Sequence, residues 1–262
     1  NPEDYTNRGS IVTPLKDRIG SQILTHYPHN LTIAKKITEQ EAQISKEKAI
    51  NIHLPEIAKD LIEQIGFEAR KSEYVDAKSG ISARMSITAC ENLYSTAERR
   101  LLITQDKKTS IRMTDFLGII PAINGKIELV YEGEQEGANE VSFHLISMSI
   151  KTLFPKYFPK IEKLEKPDAA GPYDEILEWF FKDNELFLED DLNEKEYFKA
   201  LDGLPGLNKI VKKHLPDLDE KDRYFMMELL LWGLESHQKL NKLRRLEGIY
   251  FKDSLGSFIN RL

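Results

Sequence analysis

The chain has 262 residues, of which 40% are hydrophobic and 31% charged, with a formal net charge of −6 and one cysteine. That is enough apolar material to bury a core, while a single thiol excludes an internal disulfide framework and a multi-cysteine metal cluster and fits a reducing cytoplasm. No apolar run approaches the roughly 18 residues that a spanning helix needs, nothing reads as a leader peptide, and the acidic balance disfavours binding to nucleic acid phosphates.

The charge is unevenly spread: residues 1–110 carry 16 basic and 15 acidic side chains, and residues 111–262 carry 21 and 28. Residues 10–24 are expected to form a short helix with Pro14 near its start, leading into a strand-like SQILTHY that Pro28 ends. Three helices follow, over 32–48, 54–67 and 82–103, with Ile57, Leu61 and Ile65 spaced for one buried face. Together they make a small all-α unit. The stretch GIIPAINGKIELVYEGEQEG then offers a turn, the β-prone KIELVY and a polar acidic loop, so a hairpin is expected there. VSFHLISMSIKTLF is apolar at helical spacing, with Pro155 and Pro159 as punctuation, and EKLEKPDAAGP at 162–172 reads as a linker. Beyond it, helices are expected over 173–182, 194–201, 207–214 and 219–245, and LFLEDD at 186–191 reads as a surface acidic turn. No repeat period is present.

The sequence excludes several chemistries. The one Gly-Lys pair, Gly125-Lys126, lacks the upstream glycine spacing of a phosphate loop and is followed by Ile127. No HExxH spacing occurs; His26 and His29 flank Pro28 as solvated loop residues, and Cys90 lies on a buried helix face. No metal site is expected. Arg18 follows Asp17 after the first helix, and Arg84 lies in the first turn of a helix that Ser82 can cap, where free amides and the positive end of the dipole attract anions.

NPEDYTNRG, PLKDRIGSQI and SGISARMSITACENLYSTAERR, in that order over residues 1–105, resemble the second half of a AAA+ ATPase of the magnesium-chelatase I-subunit and MoxR-like group. In that group an Asn-Pro closes the sensor 1 strand, an Asp-Arg segment carries the arginine finger, and a Ser-x-Arg at a lid helix start is sensor 2. The resemblance implies that Asn1 orients the attacking water or touches the γ-phosphate, that Arg18 reaches the nucleotide of a neighbouring subunit, and that Arg84 couples the lid to the phosphates. Ile19 stands where the finger motif usually has Phe. The chemistry suits guanidinium, a fixed and permanently charged fork that stabilises charge spread over phosphoryl oxygens.

The expected fold is mainly α: a C-terminal remnant of a AAA+ domain with its helical lid, then a helical C-terminal domain with a short β-hairpin. Its parts are the end of the AAA+ core with sensor 1 and finger (1–30), the lid with sensor 2 (31–109), a connecting region with the hairpin (110–165) and the C-terminal helices (173–262). The absence of an initiator methionine and of both Walker motifs marks this reading as one of a fragment or processed chain. ATP and Mg2+ would bind the parent protein, with none expected on this chain alone. The parent is expected to form a ring and to act with a von Willebrand A-domain protein or chelatase subunits. The alternative is a non-catalytic helical interaction module whose arginines bind acidic partners.

Overall fold

Asn30 begins the first long helix: its Oδ1 accepts the Ile33 N–H at 3.0 Å, satisfying one of the free amides of α1 (Leu31–Glu41). The computed structural model that shows this describes residues 17–21, 23, 25–76, 81–161 and 171–254. The single helix expected over 32–48 is two. Ala42 turns extended, and Ser45 caps a second short helix, α2 (Lys46–Asn51), by accepting the Lys48 N–H at 3.3 Å. A two-residue strand β1 (Ile52–His53), α3 (Glu56–Ala69) and the 21-residue α4 (Arg84–Thr104) follow. Gln105 ends α4 in the left-handed region at φ 58°, and β2 (Thr109–Ser110) then lies parallel to β1, with Ile52 opposite Thr109 and His53 opposite Ser110.

The strand expected at SQILTHY does not form over its described residues. Ile23 is 84% exposed and no strand among the described residues pairs with this stretch, so alternation alone gives no strand there. Tyr27 instead lies beneath the Arg70 guanidinium, 4.7 Å from ring centre to Cζ. The helix expected over 10–24 falls largely outside the described residues; Asp17 and Arg18 are helical.

The hairpin expected near KIELVY is also absent. A 3-10 helix (Met113–Ile119) runs into α5 (Ile120–Asn124), with Pro121 in the first turn, where a missing N–H costs nothing. Ile127 and Leu129 make single antiparallel bridges to Ile81 and Val75, and the Val130 N–H donates to the Tyr74 carbonyl at 3.1 Å. The β-prone residues therefore pair backwards in the chain, and the glutamate-rich stretch coils into α6 (Tyr131–Glu136). Next comes α7 (Ala138–Leu153), closed by a 3-10 turn at Pro155.

The C-terminal part consists of α8 (Asp174–Phe181), β3 (Leu186–Glu189), α9 (Glu194–Asp202), α10 (Leu207–His214), α11 (Glu220–Ser236), β4 (Leu240–Arg245) and β5 (Gly248–Asp253). Helix α11 stops nine residues short of the expected end at 245, because Gln238 takes φ 62° and the Lys239 N–H folds back onto the Leu234 carbonyl at 2.9 Å. The released residues form a hairpin. LFLE, expected within an acidic turn, pairs with it, giving an antiparallel sheet of order β3-β5-β4 with Leu188 opposite Ile249 and Leu243 opposite Tyr250.

Most of α11 is buried around its whole circumference, which explains its uninterrupted apolar run. It rests on α7 and α10, and a Cβ at Gly233 would lie 2.2 Å from the Phe154 ring, so glycine is what lets that ring seat against the helix. Buried apolar residues from Ile52 to Phe251 form one continuous cluster. The described chain is thus mainly helical with small sheets, and no described helix is long and apolar enough to cross a membrane.

Candidate functional site

Helix α4 carries arginines at both ends, and the two ends are built differently. At its start, Ser82 Oγ accepts the Arg84 N–H at 3.2 Å and lies 3.4 Å from Arg84 Nε. The Ala83 side chain caps nothing, and the Met85 N–H donates to the Ser82 carbonyl at 2.9 Å, so Ser82 holds the first two amides of the helix. Arg84 is exposed and makes no ion pair among the described residues. Arg18 is exposed too, and no hydrogen bond or ion pair among the described residues joins it to Arg84. Asn1 lies outside the described residues.

Arg100, some 24 Å further along the helix axis, is 3% exposed. Its guanidinium forms a two-pronged pair with Asp115, Nη1 donating to Oδ1 and Nη2 to Oδ2, and Nη2 also donates to the Ser110 carbonyl at 2.8 Å. Its Nε has no partner. Burial works against the Arg100 charge, but the Asp115 carboxylate outweighs it and holds the proton more tightly than usual. Asp115 also accepts the Arg112 N–H at 2.8 Å, which starts the 3-10 helix.

A second pair of charges completes this buried network. The Arg112 guanidinium lies 4.1 Å over the Tyr197 ring, and burial followed by the Arg100 charge pulls its proton affinity below the usual arginine range. Glu228, fully buried on α11, accepts from the Met113 N–H at 2.9 Å, the Tyr197 hydroxyl at 2.7 Å and Trp232 Nε1 at 3.3 Å. Burial pushes the Glu228 carboxyl up to about 7. Two arginines thus face two carboxylates, joining α4, the 3-10 helix, α9 and α11.

Beside Arg100 a cleft of about 220 Å3 opens to the surface. Arg99 and Arg100 line it from α4, Thr114 and Asp115 from the 3-10 helix, and Asp190 and Arg244 from the sheet side. Arg244 forks onto Asp190 at 2.9 and 2.7 Å, and Arg99 pairs with Asp191 at 3.1 Å. A Cβ at Gly118 would lie 2.3 Å from Thr96 Oγ1, so only glycine permits the 3-10 helix to approach α4 this closely along the cleft wall.

Among the described residues one group has the composition of a metal site: His53, Asp219 and Asp222, with ligating atoms within 4.8 Å of one another. Its geometry is that of an ion pair. His53 Nε2 lies 2.7 Å from Asp222 Oδ1, a contact that raises the imidazole pKa, while Asp219 caps α11 by accepting the Asp222 N–H at 2.9 Å. The positive end of the α11 dipole opposes a cation there.

Sequence reasoning singled out Arg84 and passed over Arg99, Arg100, Arg112, Asp115 and Glu228. Two of these carry a signal. Arg100 falls on the buried stripe of Leu93 and Ala97, and Glu228 is a lone carboxylate inside YFMMELLLWGL. Cys90 is buried as expected, its thiol pushed up to about 11 by burial, and His26 and His29 are exposed, their rings stacked 4.3 Å apart. No protein-family model, curated protein or solved structure matches the chain.

Proposed function

We propose that the chain is the C-terminal part of an oligomeric AAA+ ATPase, magnesium-chelatase-like or MoxR-like, in which ATP hydrolysis drives the remodelling of a partner. The observation that supports it is the start of α4. Arg84 stands exposed in the first turn of a helix rooted in the core by Met85, Ala89, Leu93 and Ala97. A rigid helix with an accessible guanidinium at its N-terminus is what linking lid position to a phosphate requires.

In this reading Arg84 meets phosphate oxygens, Arg18 acts on the nucleotide of a neighbouring copy in a ring, and Asn1 orients water. ATP with Mg2+ supplies the phosphoryl group. The exposed Arg84 guanidinium fits a phosphate, but the chain holds no glycine-rich phosphate loop, so a triphosphate would be gripped by residues outside it. The partner is a von Willebrand A-domain protein or a set of chelatase subunits, and the setting is cytoplasmic.

Reading the gene upstream of Asn1 is the first test. A GxxxxGK[ST] and an apolar run ending Asp-Glu support the ATPase; their absence favours the helical interaction module. Titrating the 262-residue chain with Mg·ATP should show no saturable heat, and a micromolar site would contradict the fragment reading. In the whole gene product, Arg18→Ala should keep folding and ATP binding and cut turnover roughly 10³-fold or more. Mixing those subunits with others disabled in the phosphate loop should restore activity, and failure to do so in confirmed assemblies would rule out action between subunits.

A further inference from the structure

We infer that a second cleft, between the end of α3 and the face of α7, binds an alkylammonium group, the chemistry of a free aliphatic amine or of a lysine side chain. Glu68 carries the argument. It is 9% exposed and fixed on one side: its Oε1 accepts from Gln64 Nε2 at 2.6 Å and from Thr152 Oγ1 on α7 at 3.0 Å. Its Oε2 accepts from no described residue and is still open to solvent. Because Glu68 lines the cleft, that oxygen reaches solvent through it. A nearly buried carboxylate with one oxygen free of donors is a strong acceptor for a cation. Lys71 lies toward the other oxygen: its Nζ is 3.9 Å from Oε1 and its side chain is 67% exposed, so the pair is a screened surface one. Glu73, exposed at the same cleft, makes no ion pair among the described residues, and the lining is negative as a whole.

The donor set narrows the class. A guanidinium fork wants both carboxylate oxygens, and Oε1 is taken, so one open oxygen suits the point charge of an ammonium. A divalent metal wants several oxygen or nitrogen ligands, and among the described residues this cleft brings no three ligating side chains together. The rest of the wall is made for an apolar stem. Leu145 and Met148 line it from α7, and the Tyr74 ring stands edge-on to His144 at 5.7 Å and 87°. Tyr74 is held by its backbone, its N–H donating to Ser72 Oγ at 3.2 Å and its carbonyl accepting the Val130 N–H at 3.1 Å, so the ring is a fixed aromatic surface for a cation. At about 300 Å3 the cleft is at the small end of ligand pockets, which fits a stem of a few carbons. The site is independent of the ATPase reading, since it uses neither Arg18 nor any residue of α4.

The test is titration of the purified chain with n-butylammonium chloride, followed by amide NMR shifts of residues 71–74 and 144–148, with ionic strength held constant by sodium chloride. Saturable shifts are expected, with a dissociation constant on the order of 10 mM or tighter. Methylammonium, which lacks the stem, should bind about threefold more weakly or worse, and the uncharged n-butanol should not saturate. Glu68→Gln should weaken n-butylammonium about tenfold or more; its amide oxygen can still accept from Gln64 and Thr152, so the variant should keep the fold. Glu73→Gln, at an exposed position, should weaken binding less, and Glu136→Gln, an exposed carboxylate on α6 outside the cleft, should leave it unchanged. Equal binding of Nα-acetyl-lysine methylamide assigns the cleft to lysine side chains, and its exclusion assigns it to free amines. Absence of saturable shifts, n-butanol binding as tightly as the amine, or equal weakening by Glu68→Gln and Glu136→Gln would each overturn the assignment.

Discussion

The two ends of α4 show the same side chain in opposite employment. Arg84 stands in water with Ser82 as its neighbour, so its charge costs little to keep and is open to a ligand. Arg100 is buried and forked onto Asp115, so its charge is tied to the fold. A helix can thus anchor itself by one arginine and offer another. What separates them is desolvation: a buried guanidinium must be matched by fixed acceptors, and an exposed one need not be.

The sharpest way to break this contrast is to remove the partner of the buried charge. Asp115→Ala leaves Arg100 buried beside Arg112 with no carboxylate fork and strips the acceptor from the Arg112 N–H. Truncating one member of a buried pair costs about 3–5 kcal/mol, to be read from denaturant unfolding of the variant and the parent chain. A loss below about 1 kcal/mol, the value of a surface pair, would mean that water reaches Arg100 and that the two ends of the helix do not differ as described.

Glu228 gives the next effect, and its sign is fixed by burial. Because burial raises its folded pKa from 4.5 to about 7, the folded state binds more protons than the unfolded one between those values. Its contribution is therefore fully present below about 4.5 and lost as pH rises toward and through 7. Asp115 adds to the rise and Arg112 works against it. Glu228→Gln removes the titration, so the stability advantage of the parent over the variant should shrink by about 3 kcal/mol at most as pH climbs from 4.5 to 8. Paired urea titrations across that range check it. A gap independent of pH would show that Glu228 stays ionised throughout, balancing the two buried arginines at every pH.

How much of this was legible depended on whether the signal was local. The 207–214 helix has the expected ends, and α3, α4 and α7 fall close to theirs, because periodicity and flanking residues decide them. What failed was pairing. LNKLRR sits at the end of a strongly helical run yet forms a hairpin with GIYFKD, and that hairpin is extended into a sheet by β3, more than fifty residues earlier. KIELVY has the right composition for a strand and finds only single bridges, since its partners lie upstream at Val75 and Ile81. The site divides in the same way. Arg84 was legible from Ser82 and the start of a helix, whereas the Arg100 network joins residues up to 115 positions apart and no spacing rule links them.

The smallest effect belongs to Arg84 itself and sharpens the comparison from the other side. Arg84→Ala removes an exposed side chain whose contact is a long hydrogen bond to Ser82. Surface substitutions of this kind change stability by within about 0.5 kcal/mol, so the unfolding midpoint should stay in place where Asp115→Ala moves it far. The Ser82 hydroxyl still accepts the backbone N–H at this position, so the helix start should survive, and far-ultraviolet circular dichroism should be unchanged. If the proposed ATPase reading holds, the same substitution in the whole gene product should weaken nucleotide binding while leaving the folded fraction intact. A loss of stability above about 1.5 kcal/mol would instead make Arg84 a structural residue, and the two ends of α4 would then serve the same purpose.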